Sequence, residues 1–248
     1  MILGLLGAYF RKKKAKSGPQ FPATSKQLLL EHVPFYAALD SGQKAQFETR
    51  VTDFLETVSI RGIDTEAEEL DKVLIAAGAI MLLFSFPDWK YNNLNEVLLY
   101  KDTFNKEYET DGADRSVLGM VGDGAMHRMM LISRPSLRAS FAHGKDGHNT
   151  ILHEFAHLID KADGVVDGMP EYLLDRPYLA PWAKHMHATI QEMISRKSPD
   201  INIYGATNEA EFFAVVTEYF FERPKQLQEN HPELYDMLEL MYRPGKMH

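Results

Sequence analysis

His153, Glu154 and His157 fall in the order H-E-x-x-H, as His153-Glu154-Phe155-Ala156-His157. The surrounding pattern is helical, with Leu152, Phe155, Ala156 and Ile159 supplying the adjoining apolar face. On a helix, residues i and i+4 share a face with Cβ atoms about 5–6 Å apart. Two imidazoles so placed can converge on one Zn2+, which takes histidine nitrogen at about 2.0–2.1 Å. Glu154 follows the first histidine, so its carboxylate stands beside the ion rather than on it. From there it can take a proton from an attacking water and pass it to a leaving amine. The spacing therefore implies metal-assisted hydrolysis with Glu154 as general base.

Catalytic zinc usually has three protein ligands, and three carboxylates compete for the third place. Asp163 follows His157 at a spacing that needs a helix-breaking glycine at position 160, where this chain has Asp160. Glu211 and Glu218 lie on a later segment made strongly apolar by Phe212, Phe213, Val216 and Phe220. A carboxylate on such a buried helix needs a partner, because an unpaired buried charge is expensive; zinc would be that partner. The other histidines, His32, His127, His143, His185, His187, His231 and His248, show no ligand spacing.

The elements that must position these groups read as an α+β chain, mainly helical, with a small sheet beside the H-E-x-x-H helix. Helical spacing covers Ser41 to Ile60, and Thr65 with Glu68 has the form of a capping box opening a helix through Leu83. Glu96 to Tyr100 reads as a strand, and Gly112 to Gly124 as a glycine-rich loop with room for one more. His127 to Ser133 is a strand ended by Pro135. The helix carrying the motif spans His148 to Ala162, stopped by Asp163-Gly164, and Asp167 to Pro170 is a turn. Pro181 opens a helix to Lys197, Asn208 caps one running to Glu222, and Pro232 starts the last. Three regions follow: 1–23, an apolar and basic segment with linker; 24–64, a helical region packed on the catalytic domain; and 65–248, the catalytic domain.

Composition narrows the chemistry further. Of the 248 residues, 45% are hydrophobic and 25% charged, as in ordinary globular chains, and none is cysteine. Disulfides and thiolate metal sites are excluded, so any ligands are histidine or carboxylate. The formal net charge of -8 argues against direct nucleic-acid binding. No apolar run reaches the length of a spanning helix. Met1 to Phe10 is mostly apolar with Arg11 to Lys14 after it, the reverse of the order in a secretory signal. That segment packs on the domain, frays in solvent or touches an anionic membrane surface, and a cytoplasmic location is the default expectation.

Two longer stretches carry a family resemblance. Asp146 to Asp160, DGHNTILHEFAHLID, resembles the active helix of the Mlc titration factor A family of bacterial zinc-dependent peptidases. Tyr204 to Ala214, YGATNEAEFFA, resembles its second signature. The same pair of stretches is similar to the catalytic domain of the lethal-factor metalloprotease, which implies a zincin-like fold of the gluzincin type. The likeness spans roughly residues 70 to 222. It implies that His153, His157 and Glu211 bind one zinc, that Glu154 is the base, and that Tyr204 donates its phenol to the developing oxyanion. Glu218, two turns beyond Glu211, and Asp160, three residues after His157, are read as supports behind the ligands. The family often has a tryptophan after the strand that precedes the active helix; here Arg134-Pro135 stands there. In zincins that strand lines the cleft and pairs with extended peptide. The resemblance implies a metallopeptidase, with short peptides or free N-termini (aminopeptidase action) favoured by analogy. It also implies a rival role, binding a transcriptional repressor of sugar transport, with the peptidase secondary or silent.

Overall fold

The structure is a computed structural model, described over residues 21–105, 108–110, 115–122, 124–142, 147–196 and 200–243. The N-terminal apolar and basic stretch up to residue 20, His143 and His248 lie outside the described residues. The elements in chain order are α1 (Ala23–His32), α2 (Pro34–Ala37), α3 (Ser41–Thr57), β1 (Ser59–Ile63), α4 (Glu69–Leu83), β2 (Glu96–Tyr100), β3 (Gly119–Val121), β4 (Met129–Ser133), α5 (Arg134–Ala142), α6 (Thr150–Asp160), α7 (Arg176–Arg196), α8 (Glu209–Glu222), α9 (Pro224–Asn230) and α10 (Pro232–Tyr242). The architecture is α+β, mostly helical with a small sheet.

Hydrophobic burial organises the molecule around α4. Its residues Val73 to Leu83 are buried on every face, so helices pack around it rather than along one stripe. α1, α3, α5 and α6 all pack against it. Gly78 lets α6 approach closely, since a Cβ there would lie 2.9 Å from the Ile151 side chain. The sheet has the order β1-β2-β4-β3, with β1, β2 and β4 parallel and β3 antiparallel on the edge. β3 pairs Gly119 with Ile132 and Val121 with Met130, and it packs against α6.

Several boundaries differ from the sequence reading, each for a physical reason. The helix expected to reach Ile60 ends at Thr57, because Ser59–Ile63 pairs residue for residue with β2. The cap of α4 is Glu68, not Thr65: the Asp71 carboxylate accepts the Glu68 amide at 3.0 Å. Pro135 does not end β4 but sits in the first turn of α5, where a missing N–H costs nothing. Pro181 lies inside α7, which begins at Arg176. β4 is flanked on both sides, so the sheet edge facing the cleft is β3. The α6, α8 and α10 starts fall where their caps and prolines put them, at Asn149, Asn208 and Pro232.

Candidate metal centre

α6 is amphipathic, burying Ile151, Leu152, Phe155 and Ile159 while turning His153 and His157 toward α8. Asn149 caps it, its side chain accepting the Leu152 amide at 3.1 Å. α8 is capped by Asn208, whose side chain accepts the Glu211 amide at 2.9 Å and thereby orients the first turn. The two helices pack together and bring three ligand atoms to one point. His153 Nε2 and His157 Nε2 are 3.1 Å apart. Glu211 Oε2 lies 3.0 Å from the first and 3.4 Å from the second. Atoms tetrahedrally bound to zinc at about 2.0–2.1 Å stand about 3.3–3.4 Å from one another, so the observed edges fit one divalent ion. Two imidazole nitrogens and a carboxylate oxygen are also the donor chemistry such an ion takes. Three groups rich in lone pairs converge, and a cation at their centre satisfies all three.

The carboxylate behind the ligands is Glu218. Its Oε1 lies 2.6 Å from His153 Nδ1, which leaves His153 Nε2 directed at the centre. Its Oε2 accepts the Asn149 backbone amide at 2.5 Å. Asn149 Nδ2 in turn donates to Glu222 Oε1 at 2.7 Å and to the Ser140 carbonyl at 2.9 Å. Glu211, Glu218 and Glu222 therefore form one stripe of α8 facing α6. His157 Nδ1 is buried without a hydrogen-bond partner among the described residues.

The electrostatics follow from this crowding. Burial alone would lower the His153 pKa, but the Glu211 and Glu218 carboxylates outweigh it and lift it to about 10. Burial would raise Glu211, yet hydrogen bonds with His153 and His157 hold it well below the usual carboxylate range. Glu154 is 5% exposed, and burial pushes its pKa up against the pull of both histidines. A Cβ at Gly119 would lie 2.8 Å from Glu154 Oε1, so glycine at that point of β3 leaves the carboxylate its space.

Tyr204 lies in a short 3-10 turn, Ile203–Ala206, held by the Asn202 side chain accepting the Tyr204 amide at 3.0 Å. Its ring centre is 6.0 Å from that of His153. Burial, then the Glu211 charge and a hydrogen bond to Glu211, raise the phenol's pKa, which keeps it a proton donor. Asp160 is buried, three residues after His157, and the His157 charge opposes the rise in pKa that burial causes. Its Oδ2 accepts the Gly168 amide at 3.0 Å, pinning a turn that Trp182 also holds through the Gly168 carbonyl at 2.7 Å. Gly168 has φ +72 and a Cβ there would lie 2.3 Å from the Glu209 carbonyl oxygen, so Asp160 fixes the seam between the end of α6 and the start of α8. Burial, opposed by the Gly168 and Met169 amides, lifts Asp160 from 3.8 to about 6. Asp163 is exposed, its Oδ1 accepting the Val165 amide at 2.9 Å, and takes no part in the triad.

Depressions of about 560 and 610 Å³ flank the triad on either side. Both include Gly119, His153, Glu154 and Tyr204; Met120, Lys161 and Val166 line one, and Leu118, His148 and Asn202 the other. Sequence reasoning missed two contributors here. Asn149 was missed both as the cap of α6 and as the tie to Glu218, which joins residues 69 positions apart. Gly119 carried no signal, because a strand as short as Gly119–Val121 shows no periodicity.

Comparison with known proteins agrees with this geometry. Residues 8–243 match the model of the glucose-regulated metallo-peptidase M90 family. An uncharacterized protein of Synechocystis sp. is 31% identical over 94% of this chain and 88% of its own length. Mlc titration factor A of Pectobacterium atrosepticum is 26% identical over 85% of this chain and 83% of its own length. Mlc titration factor A of Edwardsiella ictaluri is 28% identical over 71% and 72% respectively. With H-E-x-x-H on α6, its partner carboxylate on α8 and the match running through nearly the whole sequence, this chain belongs to the glucose-regulated metallo-peptidase M90 family.

Proposed function

We propose that this protein is a zinc-dependent peptidase in which His153, His157 and Glu211 hold the ion. The observation that carries the reading is the 3.0–3.4 Å spacing of their three ligand atoms beside a buried glutamate. When bound, zinc supplies a Lewis acid that polarises a peptide carbonyl and eases loss of a proton from water. Glu154 accepts that proton and delivers it to the leaving amine nitrogen. Burial raises its pKa above the usual carboxylate range, which makes it a better proton acceptor than a solvated glutamate. Tyr204 donates its phenolic hydrogen to the carbonyl oxygen as charge collects there. Glu218 orients His153 through Nδ1.

Peptide is taken up on the free edge of β3. The Leu118 carbonyl and the Gly122 amide bond to Ser133 and Met129 of β4, so alternate residues Gly119 and Val121 present their backbone groups outward. Val117 uses the same outer side to pair with Phe104, which marks that edge as competent for pairing. Changing Glu154→Gln removes the base while keeping shape and metal ligands. Zinc content is expected to survive while hydrolysis of short chromogenic peptides falls about 10²–10⁴-fold; undiminished hydrolysis would refute the assignment.

A second reading rests on the relatives named Mlc titration factor A. By that likeness this chain binds a repressor of the Mlc type. Glu154→Gln separates the two roles, because repressor capture by the inactive variant needs no chemistry at the triad.

A further inference from the structure

Between α3, the end of α4 and residues 87–94 lies a partly enclosed cavity of about 110 Å³. Its floor is Phe54, Val58, Ile80, Leu83 and Leu94, all buried, with Trp89 and Tyr91 forming one wall. Such a surface offers water few of the two to four partners it needs. An apolar cavity of about 150 Å³ takes up benzene in a well-studied case; this one is smaller but open at one side, so a ring can lie in it with its substituent at the opening. The mouth is different in kind: Arg50, Lys90, Asp53 and Asn92 stand around it.

The Arg50 guanidinium is turned in to the protein. It donates to the Leu83 carbonyl and, at 3.5 Å, to the Trp89 carbonyl, which uses part of its five-donor fork. Burial lowers its pKa, with Asp53, Asp88 and Tyr91 pulling the other way. Lys90 makes only a 3.7 Å contact with Asp53, and both side chains are about half exposed or more. A pair of that kind is worth little and is readily exchanged for another anion. The pocket thus couples an apolar floor to two cationic side chains facing one carboxylate, on a chain whose overall charge is negative.

We propose that this cavity is a binding site for a small amphiphilic carboxylate, its apolar ring or branched chain on Phe54, Val58, Ile80 and Leu83 and its carboxylate at the mouth between Arg50 and Lys90. The site is separate from the metal centre, and no residue lines both.

The probe is benzoate, titrated into the full-length chain and followed by the indole N–H resonance of Trp89. The other tryptophan, Trp182, is buried elsewhere and serves as the internal control. Benzoate is expected to shift the Trp89 signal saturably and leave Trp182 unmoved. Benzyl alcohol, of similar size but uncharged, should bind at least tenfold more weakly, and benzylamine not at all. Ile80→Phe fills the floor and should abolish the shift; Thr57→Phe, a change at an exposed lining position, blocks the mouth and gives the same test should the core variant fail to fold. Lys90→Ala should weaken benzoate about tenfold. Absence of a saturable shift, equal affinity for benzoate and benzyl alcohol, or binding that survives both blocking variants would overturn the proposal.

Discussion

Two clusters of carboxylates, one on the first turn of α4 and one between α6 and α8, are settled in opposite ways. At one, Asp71 is fully buried and meets permanent cations: Arg134 Nε at 3.1 Å and Arg138 Nε at 2.9 Å, with the Glu68 amide completing its shell. At the other, Glu154, Glu211 and Glu218 crowd around two imidazoles, and the ion pairs among the described residues put His153 and His157, not arginine or lysine, on Glu211. The arginine forks saturate Asp71 and leave nothing for a ligand, so that cluster is a rivet between α4 and α5. Imidazoles are neutral when they bind metal, so the second cluster keeps an excess of negative charge that a divalent cation answers. The type of basic partner, more than the number of acids, separates a structural ion pair from a metal centre.

The sharpest way to break this contrast is to remove one carboxylate charge from each side. Glu211→Gln should abolish peptide hydrolysis by protein that remains folded. Asp71→Asn should do the reverse: it strands two arginines and costs about 3 kcal/mol, read as a lower denaturation midpoint, while hydrolysis by the folded fraction persists. If Asp71→Asn proves as inactive as Glu211→Gln at full folding, the division fails.

The two clusters were not equally legible in the sequence. The metal centre announces itself because its first half is local: His153, Glu154 and His157 lie within one turn and a half of helix. Glu211 needed the second signature, and no spacing rule alone chose it over Glu218. The Asp71 rivet was invisible, because Pro135 reads as the end of a strand and hides α5, the helix that presents Arg134 and Arg138. β1 was lost for a related reason: a helical stripe of apolar residues continues past Thr57, and only pairing with β2 overrides it. Long-range pairing is what single-chain patterns omit. Asp160 shows the same limit: no local pattern marks its bonds to the Gly168 and Met169 amides.

A smaller change sharpens the account within the metal centre. Glu218→Gln keeps the acceptor for His153 Nδ1 but removes its charge, and zinc affinity should fall about 10–100-fold, measured by competition with a chromophoric chelator. Unchanged affinity would make Glu218 a helix-packing residue only.

The smallest effect concerns Asp160 and appears as a pH profile. Its carboxyl is lifted from 3.8 to about 6 by burial, so the folded state favours the protonated form. The stability it contributes is full below about pH 4 and is lost as pH rises through about 6, an effect of about 2–3 kcal/mol. In zinc-free protein, the wild-type stability measured against that of Asp160→Asn should therefore decline across this window. A flat difference would mean the carboxyl titrates normally.

The central claim is tested most directly by counting metal. The purified chain, loaded with zinc, dialysed against metal-free buffer and analysed by mass spectrometry, should retain one zinc per chain, Asp71→Asn should retain the same, and Glu211→Gln should retain almost none. A wild-type chain that keeps no zinc, or a Glu211→Gln chain that keeps as much as the wild type, would contradict it.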